Sequence, residues 1–399
     1  MKPGRLFRTH ELDFEATRIL WTAPAGGADF GEVRAALAQI REGDYESWHR
    51  AWADTAARVS APRTAAGARG RISQGQALLR ANRYWAAAEF FLPPADPRKL
   101  SAYQAAAAAF AEAVELLEID FEEGTVDFEG APLRTWRFPS RGPATAGRGT
   151  LLVCGGFDAL LEELYYVIGH QATLRGWDVV MFEGPGQSDV LRYHGAPFTP
   201  DWHLVARAAL EHWGRRLGGG PVIGVGLSLG GHLMLRAGGL APGLLDGLVA
   251  WNYFPGLTDT FKDMMPAFLH PAIDRGALPR PLHAGAQAYI RSRRYFNWQI
   301  EHSKWVFAAR DVNQLLSVAA RFDEGAWVER IQAPTLILVS EREHFYNPAR
   351  AERLASRLNC PHRLVTFTEA EGGQYHCANG AHWLPLDTIL AWADGIVGA

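Results

Sequence analysis

A serine flanked by glycines is the residue of this 399-residue chain whose type and setting most directly suggest chemistry. Residues 226–230 read Gly-Leu-Ser-Leu-Gly, after the apolar run Val222–Gly226 and before another glycine and a helical pattern. This spacing is typical of a strained strand-to-helix turn, where small residues on both sides of a nucleophile let the strand and the helix approach each other. Ser228 is therefore the candidate nucleophile.

A serine hydroxyl is a weak nucleophile at neutral pH, so a base and an acid that orients the base should follow it along the chain. His376 lies beyond the last predicted strand, in a loop that precedes a C-terminal helix, and we take it as the base. The alternatives are His382, which fits the following helix, and His362, which opens a strand.

The acid is expected in the loop that follows the predicted strand Thr335–Val339. That loop holds two carboxylates, Glu341 and Glu343. Glu343 lies three residues past the small residue that ends the strand, which favours it as the acid. Glu341 remains the alternative acid. The non-catalytic alternative is that the carboxylate forms an ordinary surface ion pair with Arg342.

Two backbone N–H groups should hold the negative oxygen that forms when a carbonyl is attacked. The residue after the nucleophile, Leu229, supplies one of them. Residues 155–158 read Gly-Gly-Phe-Asp directly after the predicted strand Thr150–Cys154, and the glycines allow the backbone to turn towards a substrate. We therefore expect Phe157 to supply the second N–H.

A mostly parallel sheet is predicted to position these residues. Its strands are short continuous apolar runs, as is typical of strands buried on both faces. The predicted strands are Leu133–Phe138, Thr150–Cys154, Asp178–Phe182, Val222–Gly226, Gly247–Trp251, Thr335–Val339 and Arg363–Phe367. Helical patterns separate them, so the fold class is α/β, with helices that flank the sheet.

The N-terminal part of the chain has a helical pattern instead. Its predicted helices are Phe30–Ile40, Tyr45–Val59, Ile72–Phe91 and Ala102–Leu117. We therefore expect a helical domain over residues 1–115 and a catalytic core over residues 116–399.

A long insertion is predicted within the core. About eighty residues separate Trp251 from the next predicted strand, which is too many for one crossover helix. The excess predicts a lid at about 254–330. Prolines should break its first half, and Ala286–Arg310 and Val312–Arg321 should be helical.

Composition argues against several classes of protein. The formal net charge is -3, from 40 Lys and Arg against 43 Asp and Glu, so no global basic field exists to attract nucleic acid or an anionic membrane. The 3 cysteines have no Cys-x-x-Cys spacing, which argues against a disulfide framework and a Cys-rich zinc site. We find no pattern of a signal peptide and no uncharged apolar stretch of about 18 residues. We expect a cytoplasmic protein with no metal and no cofactor.

Together these motifs resemble the α/β-hydrolase superfamily. The resemblance rests on residues 155–158 followed by two glutamates at 162–163, on Glu-Gly-Pro-Gly-Gln at 183–187, on the glycine-flanked Ser228 and on His376 with the cysteine after it. It points to the branch that includes 2,6-dihydroxypseudooxynicotine hydrolase, the fungal yellowish-green pigment hydrolases and FrsA-like esterases. The resemblance implies an α/β-hydrolase fold and an N-terminal helical cap over the site.

The chain departs from this branch in three places. Ser340 and Glu343 stand where the family usually has Gly and Asp, and Glu183 stands where a loop usually begins with Asp. At both acidic positions the side chain is longer by one methylene, so the backbone there must lie correspondingly further from its partner.

The resemblance favours hydrolysis of a C–C bond next to a carbonyl in an aromatic or polyketide-like ketone, with a carboxylic ester hydrolase as a close second. An acyltransferase or cyclase would use the same residues, and a ligand receptor on the same fold is the non-enzymatic alternative. The expected partner is an apolar or aromatic small molecule with a carbonyl group. Candidates for contact with this substrate are Tyr84, Trp85 and Tyr253. The alternative is that these side chains only pack in the protein core. A homodimer is left open.

Overall fold

The computed structural model describes residues 5–64, 67–141 and 148–398. The chain divides into two compact units. The helical unit contains the chain up to Asp120 together with the short segment Tyr165–His170. The sheet unit contains Phe121–Leu164 and the chain from Gln171 onward.

Long helices make up most of the helical unit: α1 (His10–Trp21), α2 (Phe30–Leu37), α3 (Tyr45–Ser60), α4 (Arg71–Phe90) and α5 (Pro97–Leu116). Local capping explains two of their starts, since the side chains of Asp44 and Asp96 accept backbone N–H groups at the beginning of α3 and α5. Fully buried Trp48 and Trp52 pack in the core of this unit. Helices α2 to α5 were predicted, and α1 was not.

A turn of π-helix carries the chain back into the helical unit. It spans Tyr165–Gly169, between α6 (Leu161–Leu164) and α7 (His170–Leu174). The Tyr166 hydroxyl donates a hydrogen bond of 3.0 Å to the carbonyl of Leu79 in α4. This segment therefore belongs to the helical unit, although the chain on both sides of it belongs to the sheet unit.

The sheet unit is built on eight strands: β1 (Glu122–Phe128), β2 (Ala131–Phe138), β3 (Thr150–Cys154), β4 (Asp178–Phe182), β5 (Val222–Leu227), β6 (Gly247–Trp251), β7 (Thr335–Ser340) and β8 (His362–Phe367). Their spatial order is β8-β7-β6-β5-β3-β4-β2-β1. Strands β3 to β8 run parallel, and β2 is antiparallel to both β1 and β4. The carboxyl ends of these parallel strands therefore meet at one edge.

The remaining helices of the sheet unit are α8 (Ser188–His194), α9 (Trp202–Trp213), α10 (Leu229–Leu240), α11 (Leu257–Met264), α12 (His270–Asp274), α13 (Arg280–Ser292), α14 (Arg294–Val306), α15 (Val312–Ala319), α16 (Arg350–Ala355) and α17 (Trp383–Val397). Helix α10 packs against β5 and β6, and α17 packs against β6 and β7. Helices thus flank a mainly parallel sheet, which confirms the predicted fold class.

The segment between β6 and β7 differs from its prediction in detail. The helix expected over residues 286–310 is two helices, α13 and α14, because the backbone is extended at Arg293, with φ −115° and ψ 101°. In the first half of this segment, where prolines were expected to break the helical pattern, the chain forms the short helices α11 and α12. Pro271 lies in the first turn of α12, where its missing N–H costs no hydrogen bond.

Strand β1 was not predicted. Its residues alternate between partly buried and exposed, and it carries charged side chains at the edge of the sheet, so it lacks the apolar run of a buried strand. Within the described ranges, no helix is both long enough and apolar enough to cross a membrane.

Candidate active site

Ser228 occupies the sharp turn between β5 and α10. Its backbone is strained, with φ 57° and ψ −124°. Gly230 has to be a glycine, because a Cβ there would lie 2.5 Å from the carbonyl oxygen of Gly155, and a Cβ on Gly226 would collide with the backbone of Gly230. The turn leaves Ser228 partly exposed, while both neighbouring residues are buried.

His376 begins a 3-10 turn beyond β8, and its ring lies between a hydroxyl and a carboxylate. Its Nε2 is 2.7 Å from Ser228 Oγ, and its Nδ1 is 2.6 Å from Glu343 Oε2. The carboxylate can only accept, so Nδ1 carries the hydrogen and Nε2 is free to accept the serine proton. Of the alternatives, His382 precedes α17 and His362 is the first residue of β8.

The Glu343 side chain is completely enclosed and hydrogen-bonded through both oxygens. Its Oε1 accepts the backbone N–H groups of His344 at 2.8 Å and Phe345 at 2.9 Å. Burial alone would raise the pKa of this carboxyl, but His376 and these hydrogen bonds outweigh burial and lower its pKa to about 2. Glu343 is thus ionised at neutral pH.

The alternative acid lies elsewhere on the loop. Glu341 is exposed, and its carboxylate accepts the N–H of Glu369 at 2.7 Å. The Arg342 guanidinium pairs with the Glu369 carboxylate. The structure therefore brings Glu343 to His376 and leaves Glu341 at the surface.

Opposing effects act on the pKa of His376. Burial of the ring disfavours the charged form, whereas Cys377 and the Glu343 carboxylate favour it. The balance raises the pKa above its ordinary value. The Glu343 carboxylate thus helps to stabilise the charged form of the ring.

Two residues that sequence reasoning did not assign a role in catalysis also belong to this cluster. Asn252 directly follows β6, and its Nδ2 lies 2.5 Å from Glu343 Oε2. Ser340, the last residue of β7, places its Oγ 2.9 Å from Asn252 Oδ1. A signal for Asn252 was available, because a polar residue directly after a predicted parallel strand lies at the same sheet edge as Ser228.

The loop after β3 lies against Ser228. A Cβ on Gly156 would be 2.9 Å from Ser228 Cβ and 3.1 Å from the backbone nitrogen of Leu229. Only glycine therefore lets the loop approach this closely. Of the two candidate N–H donors, Phe157 lies in this loop and Leu229 is the first residue of α10.

Gln187 holds this loop and was not assigned a role from sequence. Its Nε2 donates to the carbonyls of Gly155 at 2.8 Å and Gly156 at 3.0 Å, and its Oε1 accepts the N–H of Gly184 at 3.0 Å. In a trans peptide the N–H points opposite to the C=O. By fixing the Gly156 carbonyl, Gln187 therefore also fixes the direction of the Phe157 N–H.

A charge cluster lies at the start of the Gln187 loop. Arg134 contacts the carboxylates of Glu162 at 3.2 Å, Glu183 at 3.1 Å and Asp189 at 3.0 Å. Burial raises the pKa of Glu183 to about 7, and the attraction of Arg134 offsets only part of that effect. Glu183 therefore titrates near neutrality.

Two aromatic rings pack against His376. The Phe345 ring centre lies 4.8 Å from that of His376, and the Phe254 ring centre lies 6.2 Å from it. In the loop after β3, the Phe157 ring centre lies 4.8 Å from that of His302 in α14. These surroundings suit an apolar or aromatic ligand.

The three candidates for substrate contact occupy different settings. In the helical unit, Tyr84 is fully buried, and its hydroxyl donates to Glu32 and accepts the N–H of Asp29, each at 2.9 Å. Trp85, in the same unit, is partly buried. In the sheet unit, fully buried Tyr253 donates to Glu324. These bonds give both tyrosines roles in packing, and a contact with substrate stays a prediction.

Across the part of the chain that the structure describes, no group of three or more His, Cys, Asp or Glu side chains could hold a metal ion. The cysteines Cys154, Cys360 and Cys377 are buried free thiols.

Comparisons with known proteins agree with this architecture. The model of the alpha/beta hydrolase family matches residues 151–388. Hydrolase acrC of Aspergillus aculeatus is 31% identical over 428 residues, which cover 98% of each chain. The 20-hydroxy-prefusarin hydrolase FUS2 of Gibberella moniliformis is 29% identical, and the match covers 98% of this chain and 97% of that one.

Two solved structures share the fold over almost the whole chain. The crystal structure of 2,6-dihydroxy-pseudo-oxynicotine hydrolase superposes with a TM-score of 0.70 at 18% identity, covering 96% of this chain and 95% of that one. The wild-type structure of AbyA5 gives a TM-score of 0.66 at 16% identity, covering 98% and 99%.

Proposed function

This chain belongs to the alpha/beta hydrolase family and is a hydrolase, and we propose that it is a serine hydrolase that cleaves a C–C bond next to a carbonyl in an aromatic or polyketide-like ketone. The observation that carries the proposal is the continuous series of contacts from Ser228 through His376 to Glu343, at 2.7 and 2.6 Å. A hydroxyl, an imidazole and a carboxylate in this order can move a proton off the nucleophile as it attacks.

In the first half of the reaction, Ser228 Oγ attacks the substrate carbonyl carbon while His376 Nε2 takes the hydroxyl proton. Glu343 holds the ring and stabilises its charge. The carbonyl oxygen becomes an oxyanion bound by the N–H groups of Phe157 and Leu229, and loss of one such donor typically costs about 3 kcal/mol.

Collapse of this intermediate breaks the bond to the leaving group. The electron pair of the C–C bond leaves with the departing carbon, which a second carbonyl or an aromatic ring in the substrate must stabilise, and His376 returns its proton there. In the second half, His376 takes a proton from water as the water attacks the acyl-serine. Ser228 is regenerated and a carboxylic acid is released.

The preference for a ketone substrate is supported by the resemblance of the motifs to the C–C hydrolase branch. The rings of Phe254 and Phe345 beside His376 support an aromatic substrate. The same catalytic residues would also hydrolyse an ester, in which the leaving group is an alcohol. Hydrolysis of an ester alone is therefore the competing outcome of any test.

Labelling and product analysis test the proposal in order. A fluorophosphonate probe should label the wild-type protein and not Ser228→Ala; equal labelling of both proteins, or of neither, contradicts the serine mechanism. Mass spectrometry of products from an aryl 1,3-diketone and a matched aryl ester then identifies the bond. Cleavage of the diketone supports C–C hydrolysis, cleavage of the ester alone assigns an esterase, and an acyl product on an added amine or alcohol assigns acyl transfer.

The predicted helical cap, the lid over about residues 254–330, a small carbonyl compound as substrate and a cytoplasmic location remain parts of this proposal, as does a homodimer. Of these, the substrate is the part that the diketone and ester assay addresses directly.

A further inference from the structure

Asn252 lies between the acid and the base of the site, although it carries no charge. It directly follows β6 in a left-handed conformation, with φ 58°, and only 1% of its surface is exposed. Asparagine tolerates this backbone region better than most residues. Its side-chain nitrogen lies 2.5 Å from Glu343 Oε2, 2.9 Å from His376 Nδ1 and 3.1 Å from the Tyr346 hydroxyl.

Counting hydrogens assigns these contacts. The Nδ1 hydrogen of His376 points to Glu343, so Nδ1 cannot also accept from the Asn252 amide. The two amide hydrogens therefore go to Glu343 Oε2 and to the Tyr346 hydroxyl. The short distance to His376 follows because both nitrogens donate to the same carboxylate oxygen.

Ser340 contacts the oxygen end of the amide, and the Glu343 carboxylate determines which way the amide faces. Its Oγ lies 2.9 Å from Asn252 Oδ1 and 2.7 Å from the carbonyl of Tyr375, and it accepts the N–H of Ala378 at 3.3 Å. A flipped amide would place Oδ1 against the Glu343 carboxylate and Nδ2 against the Ser340 hydroxyl. The carboxylate contact excludes that orientation, since two acceptors would face each other.

We propose that Asn252, packed against the Ser340 hydroxyl, is a positioning residue that aims Glu343 at His376. This inference rests on the proposed serine mechanism. A glutamate has one more rotatable bond than an aspartate, so its carboxylate is harder to hold in one direction. The backbone N–H groups of His344 and Phe345 hold Oε1. Asn252 holds Oε2, which is the oxygen that His376 uses.

The charge at this position matters as much as its shape. The titratable groups that face the His376 ring or the Asn252 amide are Glu343, His344, Tyr346 and Cys377. A neutral amide donates to Glu343 without changing the charge near the base. An aspartate in its place would add a second carboxylate, which disfavours loss of the proton from His376.

The experiment measures the second-order rate of fluorophosphonate labelling of the whole protein from pH 5 to 9, with melting temperatures recorded for every variant. We expect Asn252→Asp to move the acidic limb of the profile upward by about one pH unit, a roughly tenfold loss at the low-pH end. Asn252→Ala should lower the rate about ten- to a hundredfold at all pH values with the limb unmoved. Asn359→Asp, which adds the same charge at an exposed position, is the control.

Ser340→Ala provides a second test if the Asn252 variants do not fold. It removes the hydroxyl and retains the amide, so labelling should slow about three- to tenfold. Wild-type labelling rates in folded Ser340→Ala and Asn252→Ala, or an Asn252→Asp profile that superposes on that of Asn359→Asp, would overturn the inference. Failure of the serine mechanism is distinct, because the wild-type protein would then show no labelling that depends on Ser228.

Discussion

The two sides of Ser228 are built differently. On the Phe157 side, the backbone of residues 155–157 lies against Ser228, and its position depends on glycines that a Cβ would displace. On the His376 side, long side chains from separate loops meet, and their position depends on hydrogen bonds and charge. The first side should therefore be sensitive to volume and the second to charge, and substitutions on each side test this difference.

The largest effect is expected from the acid. Glu343→Gln keeps the shape of the side chain but removes the charge that orients and stabilises His376, so the labelling rate should fall about 10⁴-fold. Glu341→Gln, on the same loop, should stay near the wild-type rate. The reverse result would assign the role of the acid to Glu341. It would also contradict the statement that the Glu343 charge controls the His376 side.

Added volume should damage the opposite side. In Gly156→Ala, the new methyl group would lie 2.8 Å from the carbonyl oxygen of Leu227, which is backbone and cannot move aside easily. The loop would retreat, and loss of one oxyanion donor should lower the labelling rate about 10²- to 10³-fold. Gly285→Ala is the control, since its added methyl group would meet no neighbouring atom within 4 Å. An unchanged rate in Gly156→Ala would show that the loop takes no part.

Gln187 tests whether the backbone side also needs a side chain. Gln187→Ala removes both bonds to the Gly155 and Gly156 carbonyls, so the Phe157 N–H is less well directed and the labelling rate should fall about tenfold or more. Binding of an aryl trifluoromethyl ketone, which forms an oxyanion on Ser228, should weaken in parallel. Gln39→Ala, at an exposed position, is the control. Unchanged inhibitor binding would limit Gln187 to a structural role.

The smallest effect concerns stability and pH. The pKa of Glu183 is raised to about 7 in the folded protein, so the folded state binds its proton more tightly than the unfolded chain does. Protonated Glu183 therefore contributes up to about 3 kcal/mol to the free energy of unfolding below about pH 4.5. This contribution is lost as the pH rises through 7. The melting temperature of Glu183→Gln relative to wild type should accordingly increase from pH 5 to pH 8. A difference independent of pH would contradict this, and Glu123→Gln, at an exposed position, is the control.

Local pattern was enough to predict the elements that hold one side of the candidate site. The strand before Ser228, the glycines around it and the Gly-Gly-Phe loop are each contiguous, and tight backbone approach demands glycine at those positions. The sheet was predictable for the same reason, because strands buried on both faces are continuous apolar runs. Strand β1 lacks that pattern, since its exposed edge carries charged residues.

The other side could be predicted only in part. Glu341 and Glu343 are equally acidic in sequence, and the turn in which the Glu343 N–H bonds the Ser340 carbonyl at 3.2 Å decides which one faces inward. Asn252 is 91 residues from the carboxylate it contacts, and no local pattern encodes that pairing. Side-chain networks of this kind depend on tertiary placement, which sequence spacing alone does not specify.

The π-helical turn at Tyr165–Gly169 has a consequence for the modularity of the chain. Because the helical unit takes the segment Tyr165–His170 from within the other unit's sequence, it is not a detachable N-terminal cassette. Cutting the chain after Asp120 would separate Tyr166 from two partners. These are the carbonyl of Leu79, which accepts a hydrogen bond from the Tyr166 hydroxyl, and the ring of Phe110, which contacts the Tyr166 ring. An exchange of the helical unit for that of a relative would therefore have to include Tyr165–His170 as well as the N-terminal helices.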